Sequence, residues 1–220
     1  MTLNAQIHRS PLNAVLLLAL LSGLFFHPTP AFAFGEGGAT LPDFAEFSKM
    51  VQTREAGVLR GVYVPDILAL PVVQQPPGST GYVSPRDGEI TQFGMASQAG
   101  NVGLLAHNHL SGRFFAQLAI GQEVRLVYGD GKVAYYVITQ ILRFEALEPT
   151  SQYSSFRDLT NDEMLTSSQL FNKVYGGERH VTFQTCIAGD TGLSWGRLFV
   201  IAMPKAQNVS GNRFPHKTGR

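Results

Sequence analysis

The chain is nearly devoid of cysteine and tryptophan, with one of each in 220 residues. A single Cys, at position 186, excludes an intramolecular disulfide, so no covalent staple holds the fold. Charge is sparse too. Charged residues make up 15%, with 17 Lys and Arg against 16 Asp and Glu. Without a basic surplus nothing neutralises a phosphate backbone, which excludes nucleic acid as the expected partner. No run of like charge marks a membrane-binding patch. Low charge is not disorder, because 44% of the residues are hydrophobic, the composition of a globular body. The length fits one domain plus a targeting segment.

That segment is at the N-terminus. Arg9 is the only charged residue before Glu36, and an apolar stretch, Ala14 to Phe26, follows it. Pro28, Pro30 and then Ala31-Phe32-Ala33 come next. A charged start, a short apolar run and an A-x-A end are the layout of a secretory signal peptide. The run is short for a membrane helix, which needs about 20 residues. A secreted or extracytoplasmic protein is therefore expected, with an uncleaved signal anchor as the alternative.

The expected organisation is a signal peptide over 1–33, a leader over 34–57, a catalytic domain over 58–204 and a flexible basic tail over 205–220. Apolar runs at Val58–Val64 and Ile67–Val73 read as strands, and Gln74–Gly81 as a loop. Glu89–Phe93 and Val102–His107 read as further strands, with a polar turn over Met95–Asn101 between them. Phe114–Leu118 reads as a turn or two of helix. Gly129-Asp130-Gly131 between Glu123–Tyr128 and Lys132–Phe144 is a hairpin signal. Leu147–Asp158 reads as polar loop. A helix is expected over Asn161–Tyr175, capped by Thr160 and Glu163 and ended by Gly176-Gly177. Two strands, His180–Ile187 and Trp195–Met203, close the domain. The pattern is mainly β and does not alternate helix with strand, so a parallel sheet is not expected. A single closed or nearly closed barrel of seven to eight strands, with one or two short helices, is.

The lone thiol lies on the first of these last strands. By alternation, Val181, Phe183, Thr185 and Ile187 share one face, and His180, Thr182, Gln184 and Cys186 the other. Cys186 thus sits on the polar face, at a strand end where a Gly-rich loop begins. A reactive thiol and an inert half-buried one are comparable readings there. A thiol nucleophile needs a proton partner and a donor for the developing oxyanion. Among the histidines after Ala33, His216 is in the tail, and His180 is too far along the strand to touch the thiol. His107 ends an apolar strand, and His109 follows two residues on. No acid or Cys accompanies that pair at metal spacing, so neither a metal nor a cofactor is expected. Arg197 follows Trp195-Gly196 in a strand otherwise made of the apolar run Leu198–Ala202. It is either a rim ion pair or a donor fork aimed at a carbonyl oxygen.

Taken together, these residues resemble a family. Thr182-Phe183-Gln184-Thr185-Cys186, with Arg197 on the next strand and Leu105-Ala106-His107 far upstream, resembles the T-L-x-T-C, Arg and His constellation of sortases. Phe114–Leu118, Gly121-Gln122-Glu123-Val124, Tyr136-Val137-Ile138 and Ile67–Val73 resemble flanking family segments. Ala106 stands where the family has Gly, and Phe183 where it has Leu. The resemblance spans Gly61 to Met203. It implies a sortase-like barrel and a cysteine transpeptidase. Cys186 would be the nucleophile, His107 the proton partner, Arg197 the oxyanion donor, and Thr182 and Thr185 substrate contacts. The implied partners are a peptide or protein bearing a sorting motif and an amine acceptor or water, in association with the cell envelope. A plain thiol hydrolase and a catalytically silent binding barrel are the alternatives. Cleavage of the signal is expected after Ala33. Sequencing the exported product should find Phe34 first, whereas an intact Met1 on a membrane-bound product would mark an anchor.

Overall fold

The computed structural model describes residues 41–151, 153–189 and 194–206. The signal segment and most of the tail lie outside these residues. The strands are β1 (Leu59–Val64), β2 (Leu68–Gln74), β3 (Ile90–Phe93), β4 (Val102–Leu105), β5 (Glu123–Tyr128), β6 (Val133–Ala146), β7 (Phe156–Asp158), β8 (Met164–Leu165), β9 (Val181–Ala188) and β10 (Ser194–Pro204). Among the described residues, three α-helices accompany them: α1 (Phe44–Val51), α2 (Gly94–Gln98) and α3 (Ser167–Tyr175). A 3-10 helix covers Ser111–Gln117.

The sheet runs β10-β9-β4-β3-β2-β1-β5-β6, and β10 also pairs with β6, which closes an eight-stranded barrel. β7 and β8 extend the sheet beyond β6. The expected closed barrel is therefore the observed fold. Its strand pairings are antiparallel apart from β2–β3 and β4–β9. Closure depends on the length of β6. Its 14 residues pair with β5 at one end and with β10 along most of the strand. A bulge at Thr139 shifts the β6–β10 register between Ile201 and Ala202. One extra residue there bends the strand, as a small barrel needs.

Alternation places Val62, Leu104, Leu126, Ile138, Val181, Phe183 and Val200 inside the barrel, all essentially without exposure. Truncating one such side chain to Ala typically costs about 2–5 kcal/mol. The 3-10 helix adds Phe115 to this core, edge-on to Phe183 at 5.3 Å between ring centroids. Outside the barrel, α1 lays Phe47 and Val51 on Tyr63, Ala69 and Val127. It falls within the expected leader segment, and the Asp43 side chain caps it by accepting from the Glu46 N–H. α3 lays Leu170, Val174 and Tyr175 on Phe144 and Phe199 of β6 and β10.

Local structure departs from the sequence reading in three places. α2 takes up most of the expected Met95–Asn101 turn, beginning at Gly94 and burying Ala96. The Leu147–Asp158 loop ends in β7, paired with β6. The third helix begins at Ser167 rather than Asn161. Asp162 has φ of 61°, a left-handed turn that a helix interior does not admit. Met164 and Leu165 are drawn into β8 by pairing with β7. The capping box is Thr166 with Gln169, and Gly176 ends the helix as expected.

At the hairpin tip, Gly131 has φ of 84°, as the tight turn requires. Replacing Thr166 by Ala should cost about 0.5–2 kcal/mol, the usual range for loss of an N-cap. Thr160→Ala should stay within about 0.5 kcal/mol, and chemical denaturation of the two variants checks the contrast.

Candidate active site

β9 builds the site. Val181 and Phe183 point into the barrel, and Thr182, Gln184 and Cys186 point out. α3 covers the first two of the outward set. Thr182 is fully buried, and its hydroxyl donates to the Val174 carbonyl at 2.6 Å. Gln184 accepts from the Tyr175 hydroxyl, whose pKa burial drives far up. Cys186 lies one step beyond this cover and is half-buried. The strand thus presents its thiol where the helical roof ends.

Neighbouring strands supply the other two residues. In the antiparallel β9–β10 pair, Arg197 stands directly opposite Cys186. Opposite residues share a face, with Cβ atoms about 4.5–5.5 Å apart. On the other side, the parallel β4–β9 register ends with Leu105 beside Gln184. The Ala106 N–H continues it by donating to the Gln184 carbonyl at 3.3 Å. Carried two residues past the end of β4, the same offset brings His107 level with Cys186. Cys186 and Arg197 thus stand side by side on adjacent strands about 4.8 Å apart, with His107 on the other side. No hydrogen bond joins the three side chains.

Each flanking residue has its own support. The His107 ring stacks on His109 with centroids 5.4 Å apart, and the His107 carbonyl accepts from the N–H groups of Leu110 and Gly112. The Arg197 guanidinium donates to the carbonyls of Gly196 at 2.9 Å and Pro149 at 3.1 Å. Arg197 thus meets carbonyl oxygens rather than an acid, and it ties down the loop after β6. His180 takes no part in this arrangement. It is buried, with Nδ1 2.6 Å from the Glu178 carbonyl and Nε2 2.9 Å from that of Val174.

A pocket of about 350 Å³ opens at Cys186. Thr185, Ile187, Leu198, Trp195 and Arg143 are among its walls, but His107 and Arg197 are not. Those two flank the thiol from the outer face, whereas Ile187 and Leu198 belong with the barrel interior. Thr185 reaches the pocket, and its hydroxyl donates to the Ala106 carbonyl at 2.8 Å. Thr182 does not reach it. The burial of Thr182 under α3 leaves its hydroxyl to the helix, so the substrate contact implied for it finds no exposed atom. A second cavity, of about 180 Å³, lies between α3 and the sheet and is lined by Tyr175, Gln184 and Arg197. Among the described residues, no three His, Cys, Asp or Glu gather as a metal site needs.

Two further residues matter that the sequence reading missed. Gly112 sits so close to the β4–β9 junction that a Cβ there would lie 2.3 Å from Thr185 Oγ1 and 2.7 Å from the His107 carbonyl. Arg113, next to it, holds Asp87 through a 2.7 Å ion pair, and that guanidinium keeps the Asp87 carboxyl below the usual carboxylate range. Nothing in the linear sequence ties position 112 to position 185, because only strand register brings them together.

No family model matches this chain, and no curated protein does. Solved structures of similar fold include sortase C from Clostridium perfringens SM101, 19% identical with a TM-score of 0.42, over 76% of this chain and 77% of that one. Sortase C-1 from Actinomyces oris is 13% identical with a TM-score of 0.46, over 76% and 83%. Listeria monocytogenes sortase A is 11% identical with a TM-score of 0.42, over 68% and 88%. All three are sortases.

The close approach of Gly112 leads to a direct test. Gly112→Ala overpacks the junction, and such insertions cost about 1–3 kcal/mol. At about 2–4 °C per kcal/mol for a domain of this size, thermal unfolding should fall by roughly 2–12 °C. An unchanged unfolding temperature would mean that the junction relaxes freely.

Proposed function

We propose that this chain is a sortase-type cysteine transpeptidase acting outside the cytoplasm on a peptide or protein that carries a sorting motif. The observation that carries the reading is Cys186 on β9 directly opposite Arg197 on β10, with His107 two residues past the end of β4 on the other side, reached from a T-x-x-T-C motif. The Cys186 thiolate attacks the carbonyl carbon of the scissile peptide bond, and Arg197 donates to the oxygen that becomes anionic. A guanidinium has five N–H donors. Two of the Arg197 groups already serve carbonyl oxygens, so it is oriented toward the kind of atom it would meet in a substrate. His107 gives its proton to the leaving amine as the C–N bond breaks, which leaves a thioester on Cys186. An amine acceptor then attacks that thioester and restores the thiol. Water in the acceptor's place makes the same site a hydrolase. Thr185 lines the pocket at the thiol and supports the turn that carries His107.

No helix among the described residues is long and apolar enough to cross a membrane. Association with the cell envelope would therefore rest on the substrate or on the N-terminal segment.

The test is acyl-adduct mass spectrometry with C-terminal peptides of exported proteins from the same organism. Native protein should gain a thioester at Cys186, and Cys186→Ala should gain none. His107→Ala should slow the reaction more than His109→Ala. Arg197→Lys should lose about 10²–10³ in rate, since a point charge replaces a planar fork, with unfolding close to native. If Arg197→Lys unfolds the domain, its role is to hold the Pro149 loop. If all three site variants acylate at the native rate, the transpeptidase reading is wrong.

A further inference from the structure

The pocket at Cys186 has a charge that those three residues do not explain. Arg113 and Arg143 both line it, and no acid among the described residues does. Arg113 is engaged with Asp87, which offsets its charge. Arg143 differs. It is exposed, and although its backbone is paired, its guanidinium makes no hydrogen bond or ion pair with any described residue. Glu145 is the acid two positions along the same strand face, and Arg157 across the β6–β7 pair already holds it. A planar donor fork thus stands in the wall of the thiol's own pocket with its charge unanswered.

Register says how far it can reach. Arg143 pairs with Leu198, and Leu198 pairs with Thr185, so Arg143 shares the Thr185 face and meets Cys186 through the pocket that both line. Arg143 therefore lies two strand spacings from β9, about 10 Å. An arginine stem and a short substrate side chain span that distance together. Between them the walls are apolar, formed by Leu198, Ile187 and Trp195. Apolar walls raise the worth of a charge contact by excluding water, and a guanidinium matches a carboxylate in two parallel N–H···O bonds.

We propose that Arg143 is a specificity-determining residue of the Cys186 pocket and that it selects a substrate carboxylate, carried by the acyl donor or by the amine acceptor. The proposal rests on the thiol chemistry assigned to Cys186, and its first test does not require the natural peptide. Iodoacetate and iodoacetamide alkylate a thiolate by the same displacement. The sulfur–carbon bond forms, the carbon–iodine bond breaks and iodide leaves. The two reagents differ in one carboxylate. Rates at Cys186 are read by mass spectrometry, with thermal unfolding as the control for folding.

In Arg143→Gln the iodoacetate-to-iodoacetamide rate ratio should fall about five-fold from the native value, the scale of one charge contact in a half-wet pocket. Arg143→Lys should keep part of the preference. An unchanged ratio in Arg143→Gln overturns the proposal, and so does a fall seen in Arg113→Gln or Arg197→Gln but not in Arg143→Gln.

Two further arms place the carboxylate. Cys186 is acylated with phenyl thioacetate or with phenyl monothiosuccinate, thiophenolate leaving in each case. The acetyl-enzyme is then resolved by glycine or by glycinamide. An Arg143-dependent preference for the succinyl reagent puts the carboxylate on the donor, and one for glycine puts it on the acceptor. No preference in either arm overturns the proposal. Alkylation of Cys186 without acylation by any exported peptide would refute the transpeptidase reading alone, and the charge selectivity of the pocket would still be read from the first test.

Discussion

The lodging of β9 between β4 and β10 is the constraint on which the rest depends. β9 pairs in parallel with β4 on one side and antiparallel with β10 on the other. Those two registers decide which residues stand beside Cys186. A slip of one residue in either would turn every side chain of the slipped strand to the opposite face. The register is guarded at one point by close contact rather than by hydrophobic pattern. The Thr185 hydroxyl bonds the Ala106 carbonyl, and Gly112 packs against both strands with no room for a Cβ.

The face outside the barrel is divided by α3. Under the helix, Thr182 and Phe199 are buried and Gln184 is half-buried, and the polar side chains of Thr182 and Gln184 bond the Val174 carbonyl and the Tyr175 hydroxyl. Beyond its reach, Cys186 and Arg197 remain partly open. The helix holds its place through a buried clasp. The Asn101 side chain donates to the Tyr175 carbonyl at 2.8 Å and accepts from the His180 N–H at 2.7 Å. Buried polar groups paired in this way specify one arrangement, because each would be costly if left unpaired. The boundary between covered and reachable sheet is thus set by polar groups remote from the thiol.

Much of this could be read in the sequence, for identifiable reasons. Strands with clear alternation, such as Val181–Ala188, and the Asp130-Gly131 turn announce themselves locally. The side-chain phase of Cys186 followed from that alternation alone. What stayed hidden depends on distant partners. Met164 and Leu165 look helical until β7 is there to pair with them. Thr182 looks like a polar site residue until α3 covers it. Gly112 and Arg143 carry no signal of their own, since their meaning lies in residues 73 and 43 positions further along.

The long separation between β4 and β9 also bears on how the protein reaches this state. Residues 106 and 185, bonded across that junction, are 79 positions apart. Contacts of such span form only after a large loss of chain entropy, so they slow folding. Until the β9–β10 hairpin inserts, β4 and β6 each present an unpaired backbone edge, the kind of surface on which chains join one another. One insertion event removes both edges and assembles the thiol's neighbourhood at the same time. Half-folded molecules would therefore be sticky, and the surroundings of the thiol would be completed as the vulnerability to aggregation ends.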